Sequence, residues 1–434
     1  MERLTDRLII ISFDCLSSLD FSMLQELPHF KSFLQTASYC KNVETIYPSV
    51  TYPCHTTIVT GKFPKHHGII NNTLLQPGRL SPDWYWHRHY VKGTTLYDEA
   101  KKSGMTTAAL LWPVTAKANI DYNMPEIFAN RPWHHQIPVS LMNGSVRFQL
   151  EMNKQFGHIR KGLSQPELDD FVLESTVHTI KAYKPNLLLV HFTDLDTQRH
   201  FHGFSSEQAH EALRRHDIRL GRMIQALKDS GQYEDSTIIV LGDHSALDEA
   251  KAIKPNVLLK DQGLIQINKQ GHVAAWDAYC KSCDGSAYIY VKDEQTQSKV
   301  AGLLQKLMED ESTGIEMVLT SKEAGARGAD EHAAFMIEAR QGYYFTEYLD
   351  GNLIDDITEQ DVEAGKYTVV SHGYSPDKPD YTTVFMASGK GIETGIVLPT
   401  MHLVDEGPTF ARLLGVDLGN TDGRILEEII VKNK

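Results

Sequence analysis

Pro48-Ser-Val-Thr-Tyr-Pro-Cys-His-Thr-Thr-Ile-Val-Thr-Gly61 is the stretch on which the rest of the chain turns. Pro53 suits the first position of a short helix, Cys54 to Thr60, and Gly61 suits its end. Thr51 then stands just before that helix, where unpaired N–H groups and the positive end of the dipole receive an anion. A hydroxyl in that place reads two ways. It is a plain N-terminal cap, or it is a nucleophile, which needs a base or a metal to lower its pKa.

Working outward, the 434 residues allow one large α/β domain with a second lobe, or two domains. A net charge of −13 without a local Lys/Arg cluster argues against a nucleic-acid-binding surface. No apolar run reaches the length of a membrane-spanning helix. The opening Met1-Glu-Arg-Leu-Thr-Asp-Arg enters an apolar strand too soon for a signal peptide. Five scattered cysteines (Cys15, Cys40, Cys54, Cys280, Cys283) form no disulfide framework. The expectation is a reduced, cytoplasmic protein, in which the glycosylation pattern Asn71-Asn72-Thr73 is accidental. Oligomeric state is left open.

In chain order, the strand Leu8 to Phe13 ends at Asp14, and ligands of open α/β sheets sit at that carboxyl edge. An Asx turn is the alternative reading of Asp14. A helix near Phe30 to Leu34 and a strand near Val43 to Tyr47 lead into the Thr51 stretch. A helix from Thr94 to Ser103 and a strand from Met105 to Trp112 follow, the alternation of a largely parallel sheet. Residues 113–165, with Trp133, His134 and His135, read as a loop-rich insertion near the site. A helix from Pro166 to Ala182, capped by Ser164, precedes the strand Asn186 to Phe192. Asp196 and His200 follow just past that strand's end, four apart, and such a pair binds a divalent ion. The long helix Ser206 to Ser230 returns the chain to the strand Ser236 to Leu241, which ends in Gly242-Asp243-His244. Residues 246–368 change character and read as a smaller inserted α+β lobe, in which Cys280-Lys-Ser-Cys283 is a turn. Ser371-His372-Gly373-Tyr374 then resumes the strand-then-ligand grammar, so the core comprises 1–245 and 369–434.

Collected, Asp14, Thr51, Asp196, His200, Asp243, His244 and His372 follow apolar strands on one sheet edge. The set resembles the alkaline phosphatase superfamily, and within it the nucleotide pyrophosphatase/phosphodiesterase family. Pro-Ser-Val-Thr51-Tyr-Pro with His55, Thr60-Gly61, Pro64, His67-Gly68, Asn72, Trp112-Pro113, Gly242-Asp243-His244 and Ser371-His372-Gly373-Tyr374 carry the resemblance, which runs from Leu8 to about Leu414. It implies an alkaline-phosphatase-like α/β fold, with a largely parallel central sheet flanked by helices. It also implies two divalent ions, usually zinc, with manganese or iron also compatible with the ligand types. Asp14, Thr51, Asp243 and His244 would hold one; Asp196, His200 and His372 the other. A pair of ions about 3.5–4 Å apart clamps a phosphoryl group. The implied reaction is attack by Thr51 on phosphorus, a covalent phosphothreonine, and its hydrolysis, with Asn72 and the Thr51 N–H on the non-bridging oxygens.

The sequence also departs from its relatives. A sulfatase would show Cys or Ser, then x-Pro-x-Arg, where this chain has Thr51-Tyr-Pro-Cys-His55. Nucleotide-cleaving relatives commonly carry Pro or a small residue and Gly within Asp-x-x-x-His; here Leu195 precedes Asp196 and Arg199 precedes His200. Where they tend to place a base-stacking tyrosine, this chain has His191, so Tyr52 and His191 are the substrate-pocket candidates. The leading expectation is a two-metal hydrolase of phosphodiesters or nucleotide pyrophosphates, acting on a small phosphoester or nucleotide. The alternatives are a phosphomonoesterase, phosphonate hydrolase or phosphoryl-transfer enzyme on the same fold, and a non-catalytic metal-binding protein. Arg199, if turned inward, favours a monoester dianion.

Overall fold

The computed structural model describes residues 2–79 and 81–432. At its centre lies a nine-stranded sheet. Strands β1 (Arg7–Phe13), β2 (Ser38–Glu44), β3 (Thr107–Leu110), β4 (Tyr122–Met124), β5 (Leu187–Phe192) and β6 (Ser236–Leu241) belong to it. The central order is β6-β1-β5-β3-β4, all parallel. The strand Thr383–Gly389 inserts antiparallel between β6 and β2, and Val397–Leu398 and Met401–His402 close the edge beyond β2. β5 and β6 are buried throughout, and β1 beyond Arg7, because helices cover both faces. That accounts for their unbroken apolar sequences.

One layer of core under the sheet includes Ile10, Leu189, Ile239 and the helix Glu406–Leu414, and the other includes Ile11, Val190, Val240 and the helices Glu167–Ala182 and Glu207–Asp229. Register then places the site. Ser12 pairs with Leu241, and two residues further along each strand stand Asp14 and Asp243. Residues 247–371 form smaller sheets: Ala278–Cys283, Ser286–Val291, Phe335–Ala339 and Ile315–Thr320 pair antiparallel, and Leu247–Ile253 gathers Gly342–Phe345, Ile354–Asp356 and Val370–Ser371.

Several expectations are corrected. Residues 113–165 hold, between loops, regular elements that the sequence did not announce: β4 and the helices Gln136–Asn143 and Val146–Phe156. Pro138 falls in the first turn of its helix, where its missing N–H costs nothing. Cys280 and Cys283 lie in a strand, and the turn follows at Asp284-Gly285. All five cysteines are free and buried. β2 begins earlier than expected and stops before Tyr47, because it pairs along Ser38–Val43 with Thr383–Ala387. Ser164 is not the cap expected of it: the helix begins at Glu167 with Pro166 as N-cap and no side-chain cap bond, and Ser164 contributes only its carbonyl, which accepts the Leu168 N–H at 3.0 Å.

Candidate active site

The helix Thr51–Thr60 starts at Thr51, with Val50 as an extended N-cap that offers no side chain to the helix end. Thr51 is therefore the first helical residue rather than the cap, and Pro53 the third. Every residue of this helix is buried, so its polar side chains need partners. Thr56 and Thr60 donate to the carbonyls of Tyr52 and Thr56. His67 Nδ1 accepts the Ile69 N–H at 3.1 Å, so Nε2 carries the proton and donates to Thr57 Oγ1 at 3.0 Å. Gly61 ends the helix in the left-handed region at φ 65°, with Pro408 packed so close that a Cβ would fall 2.6 Å from its Cδ.

The Thr51 hydroxyl stays out of this network and meets His244 Nε2 at 3.2 Å. His244 Nδ1 is committed to the Ser245 carbonyl at 3.1 Å, which leaves the Nε2 lone pair facing the site. The same Nε2 lies 3.3 Å from both Asp14 Oδ1 and Asp243 Oδ2. Asp243 Oδ1 accepts the Cys15 N–H at 3.1 Å, so its other oxygen turns to the centre. A second group forms on the helix Asp194–His202, where Asp196 and His200 share one face. Both residues were expected just past the strand end; they lie on this helix, whose turn spacing brings His200 Nε2 to 3.2 Å from Asp196 Oδ2. His200 Nδ1 donates to the Val370 carbonyl at 2.7 Å, and His372 arrives from beyond that short strand, Nε2 3.9 Å from Asp196 Oδ1. His244 and His372 stack at 4.1 Å between ring centres, so the groups are neighbours. Gly373, at φ 83°, makes that approach possible, since a Cβ there would sit 1.8 Å from the Cys283 carbonyl oxygen.

This donor set fits two cations. Asp14, Asp243 and His244, and separately Asp196, His200 and His372, have ligand atoms within 4.8 Å of one another. Asp14 Oδ1 and Asp243 Oδ2 are buried with no hydrogen-bond partner, a costly state for a carboxylate unless a cation meets it. Burial, then the carboxylate of Asp243, pushes Asp14 well above the usual range, and burial carries Asp243 to about 6. Burial holds His244 down at about 4 and, with His244 beside it, His372 at about 3, which keeps both rings neutral and able to coordinate. For Asp196 burial opposes ionisation, but His200 and His372 facing it hold it well below the carboxylate range.

The type I phosphodiesterase/nucleotide pyrophosphatase family model matches residues 8–375. The chain belongs to that family. It is 25% identical over 229 residues to human ectonucleotide pyrophosphatase/phosphodiesterase family member 1, an alignment covering 50% of this chain and 21% of that protein. It is likewise 25% identical over 223 residues to venom phosphodiesterase 2 of Crotalus adamanteus, covering 50% and 24%. The alignments thus span about a fifth to a quarter of the length of these curated relatives. The solved structure of murine ectonucleotide pyrophosphatase/phosphodiesterase 5 superposes with a TM-score of 0.68 at 17% identity, covering 98% of this chain and 100% of that one. An inactive threonine-to-alanine form of the murine protein, in complex with AMP, superposes with a TM-score of 0.67. The fold is alkaline-phosphatase-like.

Within this phosphodiesterase fold a cavity of about 400 Å³ opens over Thr51, Asp14, Asp196, His200 and His372, with Asn72 in its wall. Asn72 Oδ1 accepts the Tyr52 N–H at 2.9 Å, so the Asn72 amide NH2 is the end left to donate. Tyr52 forms part of the same wall, fully buried with its ring 5.1 Å from Trp84. His191 is corrected as a pocket candidate. It is fully buried beneath the site, Nε2 3.2 Å from Asp14 Oδ2 and ring 4.2 Å from His55, because β5 turns it under the sheet edge. His55 itself bonds the Thr51 carbonyl at 2.8 Å and Ser12 Oγ at 2.9 Å, tying the helix Thr51–Thr60 to β1.

Arg199 also resolves. It is buried away from the cavity, paired with Asp20 at 2.5 Å, donating to the Cys15 carbonyl and stacked 3.7 Å from the Phe204 ring centre. The sequence reading missed Glu126 and Asp284, both in the cavity wall. Glu126 follows β4, a strand of only three residues, and burial raises its carboxyl to about 8. Asp284 sits in the hairpin turn whose next residue, Gly285, donates to the His372 carbonyl at 2.7 Å, a long-range contact with no sequence pattern.

Proposed function

We propose that the protein hydrolyses phosphodiester bonds, with Thr51 as nucleophile. The carrying observation is that the Thr51 hydroxyl, at a helix N-terminus, faces His244, Asp14 and Asp243 with its hydrogen-bonding capacity otherwise unspent. The AMP complex of the structurally similar murine protein agrees with a phosphate ester at such a site. Bound at the two ligand groups, divalent cations, zinc by ligand type, supply Lewis acidity and lower the pKa of a hydroxyl.

Thr51 Oγ1 loses its proton and attacks phosphorus, one ester oxygen departs on the opposite side and takes a proton, and phosphorus is left on threonine. Water then attacks phosphorus, the bond to Thr51 breaks, and a phosphate monoester leaves. The helix N-terminus and the Asn72 amide NH2 hydrogen-bond the non-bridging oxygens as their charge grows. His55 and the Tyr52–Asn72 bond hold the hydroxyl and that donor in fixed relation. Because Arg199 turns away, the extra cation that a monoester dianion rewards is not supplied from that position, and the diester reading stands above the monoester one.

The test is stereochemical. Two displacements invert phosphorus twice, so a chiral diester hydrolysed in labelled water proceeds with net retention. Net inversion would mean direct attack by water, leaving Thr51 as a ligand only.

A further inference from the structure

Exposed apolar side chains are not spread evenly over this molecule. Of fourteen large ones exposed among the described residues, six lie between residues 133 and 163: Trp133, Ile137, Met142, Val146, Leu150 and Leu163. Trp133 is 72% exposed and Met142 69%. On the helix Val146–Phe156 the exposed Val146, Leu150 and Lys154 recur every four residues and form one line along its outer side, while Phe148 and Met152 turn to the core. Trp133, Met142 and Val146 are not in the wall of the cavity over Thr51, so a ligand held there leaves them uncovered. Large apolar side chains gathered on one outer surface mark a face built to be covered.

The charge of the same segment says what covers it. Residues 131–163 carry five basic side chains, Arg131, Arg147, Lys154, Arg160 and Lys161, against one acid, Glu151, a local charge of +4 in a chain whose net charge is −13. These cations alternate with apolar residues along two helices and their flanks instead of forming a run. Arg131 is paired with Asp83 and Lys161 with Glu167. Arg147 and Lys154 are exposed and make no ion pair among the described residues. Salt makes the local sign decisive, because beyond about 10 Å at 0.1 M the acidic remainder of the chain is screened. Free cations set among exposed Trp, Ile, Leu and Met suit the boundary of a lipid bilayer: apolar groups enter beneath the headgroups while Lys and Arg heads stay at the level of the phosphates. A second copy, by contrast, would bring the same unpaired cations face to face.

We propose that the outer side of the helices Gln136–Asn143 and Val146–Phe156, with Trp133 and Leu163, docks the protein on a bilayer surface rich in anionic headgroups. The proposal stands apart from the catalytic reading, and its test needs no turnover.

Flotation of the metal-loaded whole chain, freed of excess ions, with vesicles of phosphatidylglycerol and of phosphatidylcholine tests it. Each Lys or Arg near an anionic surface strengthens attachment about fivefold, so Arg147 and Lys154 together should make binding to phosphatidylglycerol at least about twentyfold tighter. Arg147→Gln with Lys154→Gln should remove most of that difference. Met142→Glu with Val146→Glu, at exposed positions outside the cavity wall, should abolish flotation while the circular dichroism spectrum stays that of the parent. Tryptophan emission should shift to the blue on binding, and the shift should be absent from Trp133→Phe. Equal flotation with the two vesicles, flotation that survives the paired glutamates, or a blue shift that persists in Trp133→Phe overturns the proposal. No flotation on phosphatidylglycerol at low salt overturns it as well, and self-association lost with the paired glutamates would then give the face to a second copy.

Discussion

A single hydroxyl carries the proposed chemistry, and it can be altered without disturbing its surroundings. Thr51→Ser keeps the oxygen and should retain turnover within about tenfold, whereas Thr51→Ala should lose about a hundredfold or more in kcat while Asp14, Asp243 and His244 still bind metal. Steady-state kinetics with metal analysis on the same samples checks both; metal loss in the alanine variant would make Thr51 chiefly a ligand. His67 shows how one buried side chain sets acid sensitivity. Burial, then His66 and Lys62, lowers its pKa to about 3 from an ordinary 6.5. The unfolded chain therefore binds the extra proton between those values, so the contribution is whole above pH 6.5 and is lost as pH falls. By pH 5 that is about 2 kcal/mol, and urea titrations should show a shallower acid loss in His67→Gln. Equal pH slopes in the two proteins would remove His67 as the cause.

Elements place these residues by their ends. The loop after Val370–Ser371 holds His372 only because Gly373 accepts a left-handed conformation against the Cys283 carbonyl. Gly373→Ala should displace that loop, lowering bound metal from about two equivalents to about one and reducing activity with it. Elemental analysis after reloading reads this directly, and two retained equivalents would show that the loop tolerates the change. The helix Asp194–His202 faces two ways: Asp196 and His200 line the cavity, while Arg199 is buried against Asp20 on the other side. Breaking a buried pair strands its partner, so Arg199→Ala should cost about 3–5 kcal/mol of stability. Its diester-to-monoester preference should nonetheless stay within about twofold of the parent. A preference that collapses toward monoesters would return Arg199 to the reaction.

At the scale of the whole molecule, a parallel sheet brings together residues from 14 to 372 along the sequence at one edge. Two ligand groups from separate elements predict about two divalent ions per chain, measured on protein purified without chelator and then reloaded. Less than about one equivalent would sink the two-metal reading. On the proposed reading diesters should exceed monoesters in kcat/KM, because Arg199 on the Asp194–His202 helix is paired with Asp20 and does not line the cavity; a monoester preference would overturn it.

What the sequence determined by itself is the sheet and the residues at its edge. Strands buried on both faces must be apolar throughout, so β1, β5 and β6 stand out, and a carboxylate or imidazole directly after such a run is conspicuous. Asp14, Asp243 and His244 were legible for that reason. Only the tertiary structure decided where side chains point. Whether Arg199 meets substrate or Asp20, and whether His191 lines the cavity or underlies it, depends on rotation of an element about its own axis, which spacing does not fix. Helices Gln136–Asn143 and Val146–Phe156 escaped notice because they are short and bring few apolar residues to the core, among them Phe148 and Met152.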